Sequence, residues 1–154
     1  MFIESDSDLI SEEKLRSAIN IVGAQAVLKS AYVSIRTIPN SWSASVLLMQ
    51  PLHISFFIVS RSEALLIDWP NVKSVAGTSR SFVRFRNCFD GFIWLLAHEC
   101  RHIDQFINPN LLLIGACPEV DADDWAYKKL AEWQRTSEPI RRETTVCPVS
   151  RPDQ

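Results

Sequence analysis

The sequence predicts an α+β domain in which strand-forming and helix-forming segments occupy separate parts of the chain. β-Branched and aromatic residues concentrate between residues 31 and 60, whereas three other segments repeat apolar residues every three or four positions. The chain has 154 residues, of which 47 % are hydrophobic and 22 % charged, as is typical of one globular domain. We expect a single domain over residues 1–137 and a poorly ordered C-terminal tail over residues 138–154.

The first helix is predicted over residues 11–29, where apolar side chains fall on one side at helical spacing. Ser11 is suited to the N-cap position, because its hydroxyl can accept a hydrogen bond from a free backbone amide. Glu12 and Glu13 then lie in the first turn, where the helix dipole favours negative charge.

Strands are predicted over residues 32–36, 46–49 and 53–59, with Pro39 and Pro51 in the turns between them. Two further strands are predicted over residues 64–69 and 79–86. The second of these alternates apolar and polar residues and leads almost directly into the next helix.

The second helix is predicted to begin near Asp90, acting as its cap, and to end before Pro109. One side of it carries a predicted buried stripe of Phe89, Ile93, Leu96, Cys100, Ile103 and Ile107. His98, His102 and Gln105 lie on roughly the opposite side. We therefore expect one side of this helix to anchor it and the other to face a cleft.

The second helix contains the pattern His98-Glu99-x-x-His102. Residues four apart share a helix face, so both imidazoles can reach one Zn²⁺ ion. Glu99 is offset by about 100°, which suits a general base acting on a water molecule at the metal. The pattern therefore predicts a zinc site with Glu99 as the catalytic residue.

A catalytic zinc site normally has three protein ligands, so one more is needed. The remaining histidine, His53, lies in a predicted strand. A longer motif with a third histidine is excluded, because Gln105 and Asn108 occupy the positions of its glycine and its last histidine. An acidic ligand is therefore expected.

A third helix is predicted from Pro118 to about Thr136, with Glu119 and Asp123 four residues apart on one face. Ala122 and Ala126 share that face and permit close packing against the second helix. We expect the face to be buried, with Glu119 reaching the metal and Asp123 accepting a hydrogen bond from the outer ring nitrogen of a histidine ligand.

His98-Glu99-x-x-His102 followed by Glu119-x-x-x-Asp123 resembles the gluzincin metallopeptidases, in particular the minigluzincins and small phage and bacterial proteins of this kind. The resemblance covers roughly residues 80–136. It implies a zincin-like fold, in which a small twisted, mainly antiparallel sheet packs with an N-terminal helix, an active-site helix and a C-terminal glutamate helix. It also implies three zinc ligands (His98, His102 and Glu119), a catalytic base (Glu99) and a residue that orients a ligand (Asp123).

The function expected from these residues is zinc-dependent hydrolysis of a peptide bond in a peptide or protein substrate. The predicted strand before the active-site helix, residues 81–86, is the expected edge for pairing with an extended substrate. Two alternatives remain open: a non-catalytic zinc-binding interaction module using the same ligands, and a protein without metal. A fourth ligand from Cys100, Cys117 or Asp121 would favour the non-catalytic module.

Composition and charge bear on partners and location. The net charge of −2 gives no reason to expect nucleic acid as a partner, and a small basic cluster (Arg80, Arg84 and Arg86) is interpreted as solvated charge. No apolar run is long enough to span a membrane, and no secretory signal is apparent. We therefore expect a cytoplasmic protein whose four widely spaced cysteines are free thiols.

Overall fold

The strands lie in the first part of the chain, with one helix between the first two, and helices dominate the rest. The computed structural model describes residues 1–69, 83–112 and 116–137. The elements are β1 (Phe2–Ser5), α1 (Glu12–Val22), β2 (Tyr32–Thr37), β3 (Ser43–Leu47), β4 (His53–Ile58), α2 (Arg61–Ala64), α3 (Cys88–Ile107), a 3₁₀ turn (Pro109–Leu111) and α4 (Pro118–Ser137). The α+β class is confirmed, whereas the predicted tail over residues 138–154 lies outside the described residues.

The four strands form one sheet in the order β1-β2-β4-β3. β1 pairs with β2 and β2 pairs with β4 in parallel, while β3 pairs with β4 antiparallel. The prediction of a mainly antiparallel sheet is therefore wrong. α1 connects β1 to β2 as a crossover, and β3 returns the chain so that β4 runs parallel to β2 and lies between β2 and β3. The antiparallel strand β3 lies at one edge of the sheet.

One face of the sheet packs against the helices. Its buried side chains alternate along the central strands, as a half-covered sheet requires, and are Val33, Ile35, Ile54, Phe56 and Ile58. The ring of Phe56 contacts that of Phe92 in α3, with centroids 5.1 Å apart. α3 is in contact with β3, with α1 and with α4, so it is the central helix of the domain.

α1 begins as predicted and ends earlier. The Ser11 side chain accepts a hydrogen bond from the Lys14 amide, and the helix stops at Val22 because Gly23 adopts a left-handed conformation with φ of 78°. Residues 24–30 form turns instead of continuing the helix to residue 29.

α3 is confirmed as a long helix, but its cap is Asn87. The Asn87 side chain accepts hydrogen bonds from the amides of Phe89 and Asp90, both at 3.0 Å, so the predicted capping role of Asp90 is wrong. The buried stripe is also shorter than predicted, because Ile107 in the last turn is 53 % exposed.

Asp90 is instead fully buried between α3 and α4, where it forms the Asp90 cluster with Arg86, Trp133 and Gln134. The main-chain amide and guanidinium of Arg86 donate to its carboxylate at 2.9 to 3.0 Å. The indole of Trp133 and the amide of Gln134 donate at 2.9 Å. Five donors therefore satisfy this carboxylate and join the two helices.

One predicted strand is not formed, and a second is not formed where the structure describes it. Ser60 and Glu63 make a capping box that begins α2, so the stretch predicted as a strand over residues 64–69 is instead the last residue of that helix followed by turns. Residues 79–82 lie outside the described residues, and residues 83–86 are irregular. The alternation in this stretch arises because Val83 and Phe85 are buried without pairing to a strand. β1 was missed because its sequence is short and acidic.

α4 is confirmed as predicted, and its side chains Ala122, Ala126 and Leu130 are buried against the core. Cys88, Cys100 and Cys117 are free thiols, as expected, and Cys147 lies outside the described residues. Within the described ranges, every helix is too short or too polar to cross a lipid bilayer.

Candidate metal centre

α3 brings its two histidines together on the side that lines a cleft beside β3. His98 and His102 are one turn apart, and their Nε2 atoms lie 3.0 Å from each other. His98 is only 7 % exposed, and its ring contacts the ring of Trp94, one turn earlier, with centroids 5.4 Å apart. The two ring nitrogens are thus held close together by the helix geometry.

The first turn of α4 adds the third side chain. The two carboxylate oxygens of Glu119 lie 3.4 Å from Nε2 of His98 and 3.4 Å from Nε2 of His102. The Glu119 side chain is 56 % exposed, so the prediction that it lies on a buried face is wrong. The face is buried from Ala122 onward, and Glu119 sits at its open end, where α4 meets a cleft.

These three residues, which we call the metal group, have ligand atoms close enough to one another to share a metal ion. Ligands about 2.0–2.1 Å from a tetrahedral zinc are about 3.3 Å from one another. The two Nε2 atoms are 3.0 Å apart, and each lies 3.4 Å from a different carboxylate oxygen of Glu119, so the spacing is of the same order. Among the described residues, no other histidine, cysteine, aspartate or glutamate joins the group. These three side chains could hold one metal ion between them.

The outer nitrogen of each imidazole faces an acceptor. Nδ1 of His98 lies 2.8 Å from Oδ1 of Asp123, which is the contact the sequence predicted, and Nδ1 of His102 lies 2.9 Å from Oε1 of Gln105. Because these partners are oxygen acceptors, each neutral imidazole carries its proton on Nδ1 and keeps a lone pair on Nε2. Three electron-rich atoms therefore converge on one point, as a cation would require.

Gln105 is a site residue whose role the sequence did not reveal. Its amide nitrogen donates to the carbonyl oxygen of Pro118 at 3.0 Å and to the carboxylate of Asp121 at 2.9 Å. Asp121 in turn pairs with Arg101 at 2.6 Å. One side chain thus connects His102 to the first turn of α4, which carries Glu119. The available signal was its position three residues after His102, on the same helix face.

Burial dominates the electrostatics of the site. Glu99 is 7 % exposed, and burial raises its pKa to about 7. Burial also lowers the pKa of His98, assisted by the neighbouring His102, and raises the pKa of Asp123. One carboxylate oxygen of Asp123, Oδ2, is buried and has no hydrogen-bond partner among the described residues.

The other candidate ligands lie elsewhere or are engaged. His53 is on β4, with its ring against that of Tyr32 at 5.0 Å. Cys100 is buried in the apolar stripe of α3, where burial raises the pKa of its thiol above the usual range. Asp121 is paired with Arg101. Neither these residues nor Cys117 belongs to the metal group.

A cleft of about 630 Å³ opens over the metal group. Its base includes Glu99, and its walls come from β3 and from the end of α3 with the segment that follows. The edge next to the site is therefore β3, whereas the predicted edge over residues 81–86 is not a strand where it is described. Comparison with protein-family models, curated proteins and solved structures gave no match.

Proposed function

We propose that this protein is a zinc-dependent metallopeptidase that hydrolyses peptide bonds, similar in its site to the gluzincins. The observation that carries the proposal is the convergence of His98, His102 and Glu119 from two helices, with donor atoms 3.0 to 3.4 Å apart. A buried glutamate, Glu99, lines the same cleft without belonging to the metal group. This separation of three ligands from one carboxylate is what metal-assisted hydrolysis requires.

The roles of the residues follow from their positions. His98, His102 and Glu119 hold the ion, which when bound supplies a positive charge that polarises the substrate carbonyl and makes a water molecule more acidic. Glu99 takes the proton from that water and later delivers it to the departing amine. Asp123 and Gln105 hold the two imidazoles in the tautomer that directs Nε2 toward the ion.

The substrate lies along β3 in this proposal. β3 is an edge of the sheet, so its outer row of backbone N–H and C=O groups can pair with an extended peptide. Ala44 and Val46 of this strand line the cleft together with Glu99. A peptide paired with β3 therefore passes over the metal group.

The alternative is a zinc site that only joins α3 to α4 in a non-catalytic binding module. Structural zinc sites are normally closed by four protein ligands. The metal group offers three, and among the described residues no further side chain of a ligand type lies within reach. The open position and the cleft above it favour hydrolysis.

The experiment compares the full-length protein, reconstituted with zinc, with the Glu99→Gln variant on a denatured protein substrate. We expect one zinc per chain in both proteins, and cleavage in the variant reduced by about 10³-fold or more, because its base is lost. Glu132→Gln, an exposed glutamate on α4, is the matched control and should cleave like the parent.

Two results would contradict the proposal. A Glu99→Gln variant as active as the parent excludes Glu99 as the base. A zinc content well below one per chain after reconstitution, measured without a histidine tag, excludes the metal centre itself.

A further inference from the structure

The walls of the cleft differ in character from its base. The polar side chains of the described lining residues are His98, His102 and Gln105 with the two carboxylates of the site. The remaining described lining residues are apolar: Ala44, Val46, Leu48, Phe106, Leu112 and Pro118. No lysine or arginine is among the described lining residues. A charged substrate side chain placed against these walls would lose water without gaining a partner.

The apolar wall is built from both sides. Ala44, Val46 and Leu48 alternate along β3 and its extension, so they present one continuous row to the cleft. On the opposite side, Phe106 projects from the last turn of α3 and is 55 % exposed, while Leu48 is 37 % exposed. Large apolar side chains left open to water beside a candidate active site are typical of a substrate-binding surface.

The apolar wall lies beside the metal group, so it would contact the substrate next to the bond that is cut. His98, Glu99 and Glu119 line the same cavity as Leu48 and Phe106, so a chain bound at the metal group places its neighbouring side chains against this wall. Because the cavity is about 630 Å³, it accommodates a large side chain together with the backbone that carries it.

We infer that Leu48 and Phe106 make this site selective for peptides with a large apolar residue, such as leucine or phenylalanine, beside the bond that is cut. The inference rests on the proposed peptidase function and specifies its substrate class. Burying such a side chain against the wall should favour it over aspartate or lysine by about tenfold to hundredfold.

The test uses N-blocked amino-acid hydroxamates, which chelate zinc and place one side chain in the cleft without any need for cleavage. Their dissociation constants are measured for leucine, phenylalanine, aspartate and lysine hydroxamates with the zinc-loaded Glu99→Gln protein. We expect the two apolar compounds to bind about tenfold to hundredfold more tightly. Leu48→Ser and Phe106→Ser should each remove most of this preference.

Leu47→Ser is the matched control, because Leu47 is an exposed leucine one residue away that does not line the cleft. It should keep the preference. Equal affinities for apolar and charged hydroxamates, or equal effects of Leu47→Ser and Leu48→Ser, would overturn the inference while leaving the proposed hydrolysis intact. Zinc-loaded protein that binds no hydroxamate, or protein that binds no zinc, would overturn both.

Discussion

The interface between α3 and α4 contains two polar clusters with opposite properties. At one end, the buried carboxylate of Asp90 receives five hydrogen bonds from Arg86, Trp133 and Gln134. Toward the other end, the metal group directs two ring nitrogens and a carboxylate toward one another at 3.0 to 3.4 Å. Donors and acceptors are balanced in the first cluster, and acceptors are in excess in the second.

This difference is the basis for assigning a structural role to the first cluster and proposing a ligand-binding role for the second. A carboxylate with all its lone pairs engaged has nothing to offer a ligand, whatever its burial. Acceptors that converge without donors repel each other unless a cation lies between them. Burial alone therefore does not distinguish the two clusters, whereas the balance of donors and acceptors does.

The largest expected effect comes from removing a ligand. His102→Ala should reduce zinc affinity by about 10²- to 10³-fold, because each ligand of a zinc site contributes about 3 kcal/mol. The free energy of unfolding of the zinc-free protein should change little. Competition with a chelator of known affinity measures the first quantity, and urea unfolding measures the second. Unchanged zinc affinity would exclude His102 as a ligand.

Asp90→Asn should have the opposite effect: it should lower the stability of the fold and leave zinc affinity nearly unchanged. The substitution places an amide against the guanidinium and the Gln134 amide, so it should lower the free energy of unfolding by about 3 kcal/mol. Zinc affinity should stay within about threefold of the parent. Asp104→Asn, on the same helix, is the control and should change stability by less than about 0.5 kcal/mol. A marked loss of zinc affinity in Asp90→Asn would show that the two clusters are coupled.

Substitutions at Gln105 test whether metal binding depends on the hydrogen bonds around the metal group. Gln105→Leu removes the acceptor for His102 and both donors to the first turn of α4, so zinc affinity should fall about 10- to 100-fold. Gln105→Glu keeps the acceptor for His102 but places a carboxylate beside that of Asp121. The repulsion should displace the first turn of α4, which carries Glu119, and so lower the zinc affinity. When Glu119→Ala is already present, Gln105→Glu should therefore lower the zinc affinity by a smaller factor. An equal factor with and without Glu119→Ala would contradict the proposed link between Gln105 and Glu119.

The smallest effect is a pH dependence at the Asp90 cluster. Burial acts to raise the pKa of Asp90, but the hydrogen bonds from Arg86 and Gln134 outweigh it and hold the pKa below its usual value. The resulting stability is present above the unfolded-state pKa of about 3.9 and is lost as the pH falls through the lower folded-state pKa. Urea unfolding of parent and Asp90→Asn at pH 6 and pH 3 should show a smaller difference at pH 3, and a constant difference would contradict the assignment.

The sequence was most informative where local spacing determines geometry. His98 and His102 come together because a helix places residues four apart on one face, and that spacing is visible in the sequence. Asp123 could be anticipated for the same reason, since the alanines beside it predicted which face of α4 meets α3. The long helices and three of the four strands were predicted on the same local grounds.

The errors concern relations between distant parts of the chain. Strand direction depends on how α1 crosses the sheet, and no spacing within a strand reveals it. Asp90 has the composition expected of a cap, and its burial becomes apparent only when Trp133 and Gln134, more than forty residues later, donate to it. Gln105 was seen to share the histidine face, but its contact with Pro118 requires the packed helices.

Ala122 and Ala126 have no accessible surface where α4 lies against α3. Two methyl groups therefore set the separation of the helix axes, and that separation decides whether Glu119 reaches the imidazoles. A bulkier residue at either alanine should displace α4 outward and weaken the proposed metal binding, although all three proposed ligands would still be present. The ligand motif alone is thus insufficient to predict a metal site of this kind, because the small residues between the two helices must also be considered.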